Sequence, residues 1–248
     1  MKLRRAYLQR GPFKLLGFAG QAIVLRFRAG LRAIGVGYAA MLELDHVICF
    51  VADRAEVPLH GFIVDDGRVH TGQGTRNVRV AFERNYLEVA WVEVAAEVIA
   101  RGLDFVARCA RPARACPFGC VLRGTIAEAA RARFVAYPLP DAPGMVLQLL
   151  ANQPPEAPFI AVFEASDLEA MWPQRRMSSA RIAHPNGATR IAHPSGATRI
   201  MRATITAAAR PALDDVADVR FAVGAPRLAL ELDAGSWAHP PDQRGPQT

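Results

Sequence analysis

Leu42-Glu-Leu-Asp-His-Val-Ile-Cys-Phe-Val51 and Asn85-Tyr-Leu-Glu-Val-Ala-Trp-Val92 decide how this chain is read. Both segments are rich in branched and aromatic residues, and each is expected to form a strand. Alternation puts His46 on one face with Leu44 and Ile48, and Glu88 on one face with Tyr86 and Ala90. A carboxylate on an otherwise apolar strand needs a partner or water, because an unpaired buried charge is costly. His46 is the natural partner if the two strands are neighbours. Three readings of the pair stand side by side: a metal site, a metal-free ligand cleft in which Glu88 can serve as a general base, and a structural His–Glu contact.

Between the two strands lies His70-Thr-Gly-Gln-Gly-Thr-Arg-Asn77. Its glycines permit backbone angles closed to other residues, so a tight loop is expected. The loop offers His70, Gln73, Thr75 and Asn77 as ligand contacts, and a plain structural turn competes with that role. Asp53 to His60 has room for one helical turn. Gly61 to Val64 and Arg68 to His70 read as a second strand, broken by Asp65-Asp-Gly67. Val78 to Phe82 reads as a third strand, ahead of a turn at Glu83-Arg-Asn85. The order is strand, short helix and three strands, with Trp91 filling core.

Farther along, Glu93 to Arg108 changes to helical spacing, with Gly102 as a break. Strands are then expected at Phe118–Arg123, Phe134–Pro138, Met145–Leu150 and Phe159–Glu164, a degenerate second copy of the first unit. Residues 181–198 repeat a nonapeptide, RIAHPNGAT then RIAHPSGAT. Two copies of nine residues are too few and too short for a stacked repeat. A duplicated surface loop is expected, with His184 and His193 solvated. Arg202–Ala207 and Arg227–Leu232 read as strands and Pro211–Val216 as the start of a helix, a partial third unit over 199–232. The Pro-rich segment 233–248 is expected to be disordered.

The 248 residues are 51% apolar and 21% charged, a globular composition. The net charge of +7 is an N-terminal attachment. Residues 1–40 hold eight basic residues and no acidic ones, which leaves 22 basic against 23 acidic in 41–248. The body therefore shows no nucleic-acid footprint. No apolar run approaches the roughly 20 residues of a membrane span. Residues 1–40 read as an extension, disordered or upstream of a true start at Met41, and 41–232 as the folded domain with units 41–92 and 116–164. The cysteines at 49, 109, 116 and 120 are too few and too irregular for a disulfide framework. Reduced thiols and a cytoplasmic location are expected.

LDHVICFV, GQGTRN and NYLEVAWV, in that order, resemble the glyoxalase-like branch of the vicinal oxygen chelate superfamily. The resemblance covers 42–92 well and 116–232 loosely, and Thr71 stands where that branch has proline. It implies an α+β fold of paired βαβββ units forming curved mixed sheets around a cleft. It also implies a divalent metal ion held by a histidine on the first strand and a glutamate on the fourth, positions matched by His46 and Glu88. In the second unit Phe118, Gly119 or Cys120 stands where a histidine or glutamine is expected, and Glu164 matches the second glutamate. The implied chemistry is Lewis-acid chelation of a small oxygenated substrate, with Glu88 catalytic, in a lyase, isomerase or dioxygenase. A non-catalytic small-molecule binding or sequestering protein on the same fold is the reading from a different class. The resemblance also suggests a homodimer.

Overall fold

The computed structural model describes residues 15–18, 21–24, 42–57, 59–110, 114–164, 181–183, 189–191, 193–214, 216 and 218–239. The chain divides into two compact units, Met1–Val36 and Gly37–Thr248. Within the first unit, β1 (Leu15–Phe18) and β2 (Gln21–Val24) pair as an antiparallel hairpin. The rest of the expected N-terminal extension lies outside the described residues.

The second unit holds an eight-stranded mixed sheet. Its first half comprises β3 (Leu42–Phe50), a 3-10 turn at Arg54–Glu56, β4 (Val69–His70), β5 (Thr75–Ala81) and β6 (Tyr86–Val92). Its second half comprises β7 (Phe118–Gly124), β8 (Phe134–Pro138), β9 (Val146–Leu150) and β10 (Phe159–Glu164). The spatial order is β4-β5-β6-β3-β7-β10-β9-β8. Each half runs second, third, fourth, first strand from its outer edge, and the two first strands meet antiparallel at the centre. β3 pairs parallel with β6, and β7 pairs parallel with β10. This is the paired-unit, curled mixed sheet that the family resemblance implies. Helices α1 (Ala95–Ala100) and α2 (Phe105–Cys109) link the halves, and a short α3 (Glu128–Arg131) precedes β8. Gly102, at φ +69°, separates α1 from α2 as the helix-break reading anticipates.

A nine-residue β3 carries one irregularity that matters. Its register against β7 shifts between Leu44↔Leu122 and His46↔Val121, so Asp45 is a bulge residue. The bulge reverses the alternation. Leu44 joins Val47 and Cys49 in the core on one face, and His46 joins Ile48 and Phe50 on the other. The expected grouping of His46 with Leu44 is therefore corrected, while its grouping with Ile48 holds.

A second sheet covers the Leu44 face. β13 (Ile200–Ala207), β14 (Val219–Val223), β15 (Arg227–Leu232) and β16 (Gly235–His239) assemble in the order β14-β13-β15-β16. Ile205, Val219, Leu228 and Leu230 pack into one apolar cluster with Val47, Leu87, Leu122 and Ile160 of the large sheet. Three expectations change here. The described residues of 211–216 form no helix, residues 235–239 are a strand and not part of a disordered tail, and the strand order differs from that of the two βαβββ units. β15 and β16 are joined by a tight turn whose Gly235 sits at φ +97°. Pairing with β15 then satisfies the backbone groups of 235–239 that face it, which composition alone suggested would stay unpaired.

The nonapeptide repeat forms a short hairpin of β11 (Arg181–Ala183) and β12 (Thr189–Ile191). His184 lies outside the described residues. His193 is not a solvated loop residue, because it is 5% exposed. Its Nδ1 accepts from the Ile63 N–H at 3.0 Å, and its Nε2 lies 2.8 Å from the Ala81 carbonyl. Its ring meets Phe62 and Phe82 edge-on. Among the described residues, no helix is long and apolar enough to cross a membrane.

Candidate functional site

On the face opposite the second sheet, the two halves of the large sheet and α2 enclose a cavity of about 240 Å³. Its polar wall comes from the first half, with His46, His70, Gln73, Thr75, Asn77, Arg79, Tyr86 and Glu88. Its apolar wall comes mainly from α2 and the second half, including Phe105, Val121, Leu149, Phe159 and Phe163. Both walls belong to one chain.

Parallel pairing of β3 with β6 sets Ile48 beside Glu88 and His46 beside Tyr86. The His46 ring stacks on Tyr86, with centroids 4.2 Å apart and planes 16° from parallel. From that position its Nδ1–H donates to Asp45 Oδ1 at 2.7 Å, and its Nε2 lies 3.1 Å from Glu88 Oε2. The bulge makes the first of these contacts. Burial alone would lower the His46 pKa, but hydrogen bonds and charge from Asp45 and Glu88 outweigh it and raise the pKa above its ordinary value. Burial would also raise the Glu88 pKa, yet His46, His70 and Asn77 together bring it down to about 2. His46 is thus buried between two carboxylates, one facing each of its ring nitrogens.

Asn77 extends this chain. Its Nδ2 donates to Glu88 Oε1 at 2.7 Å and lies 3.1 Å from His70 Nε2, while its Oδ1 accepts from the Arg68 N–H at 2.9 Å. Both amide protons are thus used, and His70 Nε2 is the acceptor. His70 Nδ1 then faces Asp141 Oδ2 at 3.3 Å. Burial, helped by the charge of Arg68, lowers the His70 pKa despite Glu88 and Asp141. Gln73 Nε2 donates to Thr75 Oγ1 at 3.0 Å and its Oε1 accepts from Tyr137 Oη at 3.3 Å, which ties the loop to β8 across the cavity. Gly74, at φ +77°, lets the loop close, since a Cβ there would collide with the Val94 carbonyl.

The structure therefore brings His46, His70, Gln73, Thr75, Asn77 and Glu88 to one cavity. It does not bring Glu164. That carboxylate accepts two hydrogen bonds from Arg131, at 3.0 and 2.7 Å, and its neighbour Phe163 faces the cavity instead. Alternation along β10 is the reason, because Phe159 and Phe163 share the inner face and Glu164 takes the outer one. On β7 the cavity-facing residue is Val121. Cys120 is buried in the opposite cluster, and Phe118 and Gly119 supply no donor side chain to the cavity. Among the described residues, no group of three His, Cys, Asp or Glu is arranged to hold a metal ion. Sequence reading passed over Asp45, Arg68, Arg79, Tyr86, Tyr137 and Asp141. The Asp immediately before His46 was visible as part of LDHV, but the bulge that aims it was not. Trp91 packs against the core behind the sheet, with the Arg76 guanidinium 6.0 Å from its ring centre.

A family-level match agrees with this architecture. A glyoxalase-like domain family model matches residues 44–215. Among solved structures, a hypothetical protein from Staphylococcus aureus is similar over 67% of this chain and 70% of its own, at 16% identity and a TM-score of 0.42. No curated protein matches the chain. The family match spans well over half of the chain and both halves of the large sheet, so this protein belongs to the glyoxalase-like domain family of the vicinal oxygen chelate superfamily.

Proposed function

We propose that this protein binds a small oxygenated molecule in the cavity and does so without a resident metal. The ligand's oxygens face the His46–Glu88–Asn77–His70 wall, and its body lies on the Phe105–Phe159–Leu149 wall. The observation that carries this reading is the geometry of His46, whose two ring nitrogens both face carboxylates, at 2.7 and 3.1 Å, an arrangement that suits a ring protonated on both nitrogens. An imidazolium has no lone pair to give an ion. Two further observations point the same way. Glu164 is engaged by Arg131, and the second half lines the cavity with Val121, Phe159 and Phe163. These residues do not fit a resident divalent ion. Glu88, held at a pKa of about 2, is a weak proton acceptor near neutral pH. Its part is to hold His46 and Asn77 in position. The binding or sequestering role thus stands ahead of a lyase, isomerase or dioxygenase. Both walls come from one chain, so a homodimer is not required for this role. The four cysteines are free and buried, which is consistent with a cytoplasmic setting.

One observation favours a second reading. A carboxylate behind the far nitrogen of a histidine, as Asp45 stands behind His46, is the usual support of a metal-ligating imidazole. On that reading His46 and Glu88 would hold a divalent ion in place of the Nε2 proton, and the ion would supply Lewis-acid stabilisation of an anionic substrate.

The binding role is tested by small-molecule capture. Wild-type protein and Leu149→Trp, which fills the apolar wall and leaves the polar wall intact, are incubated with a metabolite extract, desalted and denatured. Released compounds are identified by mass spectrometry. Retention by wild type and its loss in Leu149→Trp is the expected result. Equal retention by both proteins, or none by either, contradicts the reading.

A further inference from the structure

Four carboxylates lie in or beside the polar wall, and each has a cation of its own. Glu43 Oε2 meets Arg84 Nη2 at 2.9 Å. Glu88 is paired with His46 at 3.1 Å and Asp141 with Arg68 at 3.2 Å. Asp45, already bonded to His46, has Arg123 at 4.0 Å. Arg79 is the remaining cation of the cavity lining. It stands directly opposite Glu88 in the β5–β6 register, the place where a cross-strand ion pair is expected. Glu88 is turned instead to His46 and Asn77. Asp65 is joined to Arg79 through two backbone hydrogen bonds of 2.8 and 3.2 Å, but it does not line the cavity, and its charge acts on His193. The Arg79 Nε is buried without a hydrogen-bond partner among the described residues. A guanidinium with a buried, unused donor is costly unless a ligand supplies the acceptor. Planar carboxylates suit its fork of donors best.

The opposite wall defines the other end of the ligand. Phe50, Phe105 and Phe159 form an aromatic cluster with centroid separations of 4.7, 5.0 and 6.1 Å. Leu147, Leu149 and Phe163 continue it along the second half of the sheet.

We infer that Arg79 is a carboxylate-binding residue and that the cavity takes amphipathic carboxylic acids, with the acid group on Arg79 and the apolar tail against the second half of the sheet. The inference rests on the cavity being a binding site. It adds the charge of the ligand and the residue that reads it.

Octanoate and octanamide differ little except in charge, and both fit the same description of tail. Calorimetric titration of wild type, Arg79→Gln and Arg79→Lys with each tests the inference. Wild type binds octanoate at least ten-fold more tightly than octanamide. Arg79→Gln loses that preference while still binding octanamide, and Arg79→Lys keeps part of it. Equal affinity of wild type for the two compounds overturns the role of Arg79 and leaves the cavity reading intact. Binding of neither compound by wild type overturns this ligand class, and Leu149→Trp capture then decides the cavity reading separately. The wild-type comparison needs no variant, so the inference stays testable even if Arg79→Gln fails to fold.

Discussion

At the scale of single residues, the site is governed by who neutralises whom. His46 and Glu88 are both buried, and removing one partner of such a pair costs about 3–5 kcal/mol because the other is left unpaired. Glu88→Gln is therefore expected to lower stability by about 3 kcal/mol at neutral pH, measured by denaturant unfolding. The pH dependence has opposite signs for the two groups. The His46 pKa is raised by folding, so its contribution is full below the ordinary histidine value and fades as pH rises through the raised one. The Glu88 pKa is lowered to about 2, so its contribution is full above the ordinary glutamate value and fades as pH falls toward 2. Wild type should hold a stability plateau between those limits, and Glu88→Gln should lose the component that falls on the acid side. A variant whose acid limb matches wild type would show that Glu88 carries no such charge. The residues of this pair were legible in the sequence, because a lone carboxylate on an apolar strand demands a partner. Asp45 was not, since its direction depends on a bulge that no alternation pattern encodes. Glu164 misled for the opposite reason, because alternation from Phe163 places it on the outer face.

Among the elements, the first βαβββ unit was readable in its outer strands, but Gly61–Val64 forms no strand, so β4 is Val69–His70 alone, and β5 starts at Thr75, inside the expected loop. β6, β8, β10 and β15 fall where the pattern of branched and aromatic residues put them. The repeat was read as a mere lengthened loop, and composition gave no sign that its second copy is bonded into the domain. His193 spans from the Ile63 amide to the Ala81 carbonyl, Thr198 accepts from the Glu83 N–H at 2.9 Å, and Ala197 is fully buried. His193→Ala would leave two backbone groups without their partner and a gap between two phenylalanines. It is expected to destabilise by about 2–4 kcal/mol. Deleting 181–189 removes one copy and spares every one of these contacts, so its thermal midpoint should stay within a few degrees of wild type. A deletion as damaging as His193→Ala would show that the two copies are not redundant.

Across the whole molecule, two sheets share one apolar cluster while the other, inner face of the larger sheet is kept for the cavity. This division explains why the fold was easier to read than the site. Strand identity follows from local pattern, whereas the cavity is assembled from halves far apart in sequence, one polar and one apolar. The chain separates into Met1–Val36 and the remainder, so a variant starting at Met41 should unfold with the same midpoint and cooperativity as the full chain. A lower midpoint would show that the basic segment supports the domain. His46, clamped between Asp45 and Glu88, is expected to keep a proton on each ring nitrogen in a cavity that needs no resident ion. Nitrogen-15 spectroscopy of the histidine rings at pH 7, before and after one equivalent of zinc, tests it most directly. A His46 resonance with both nitrogens protonated and unmoved by zinc is expected, while a His46 nitrogen that gives up its proton and shifts to a metal-bound value would contradict a metal-free site.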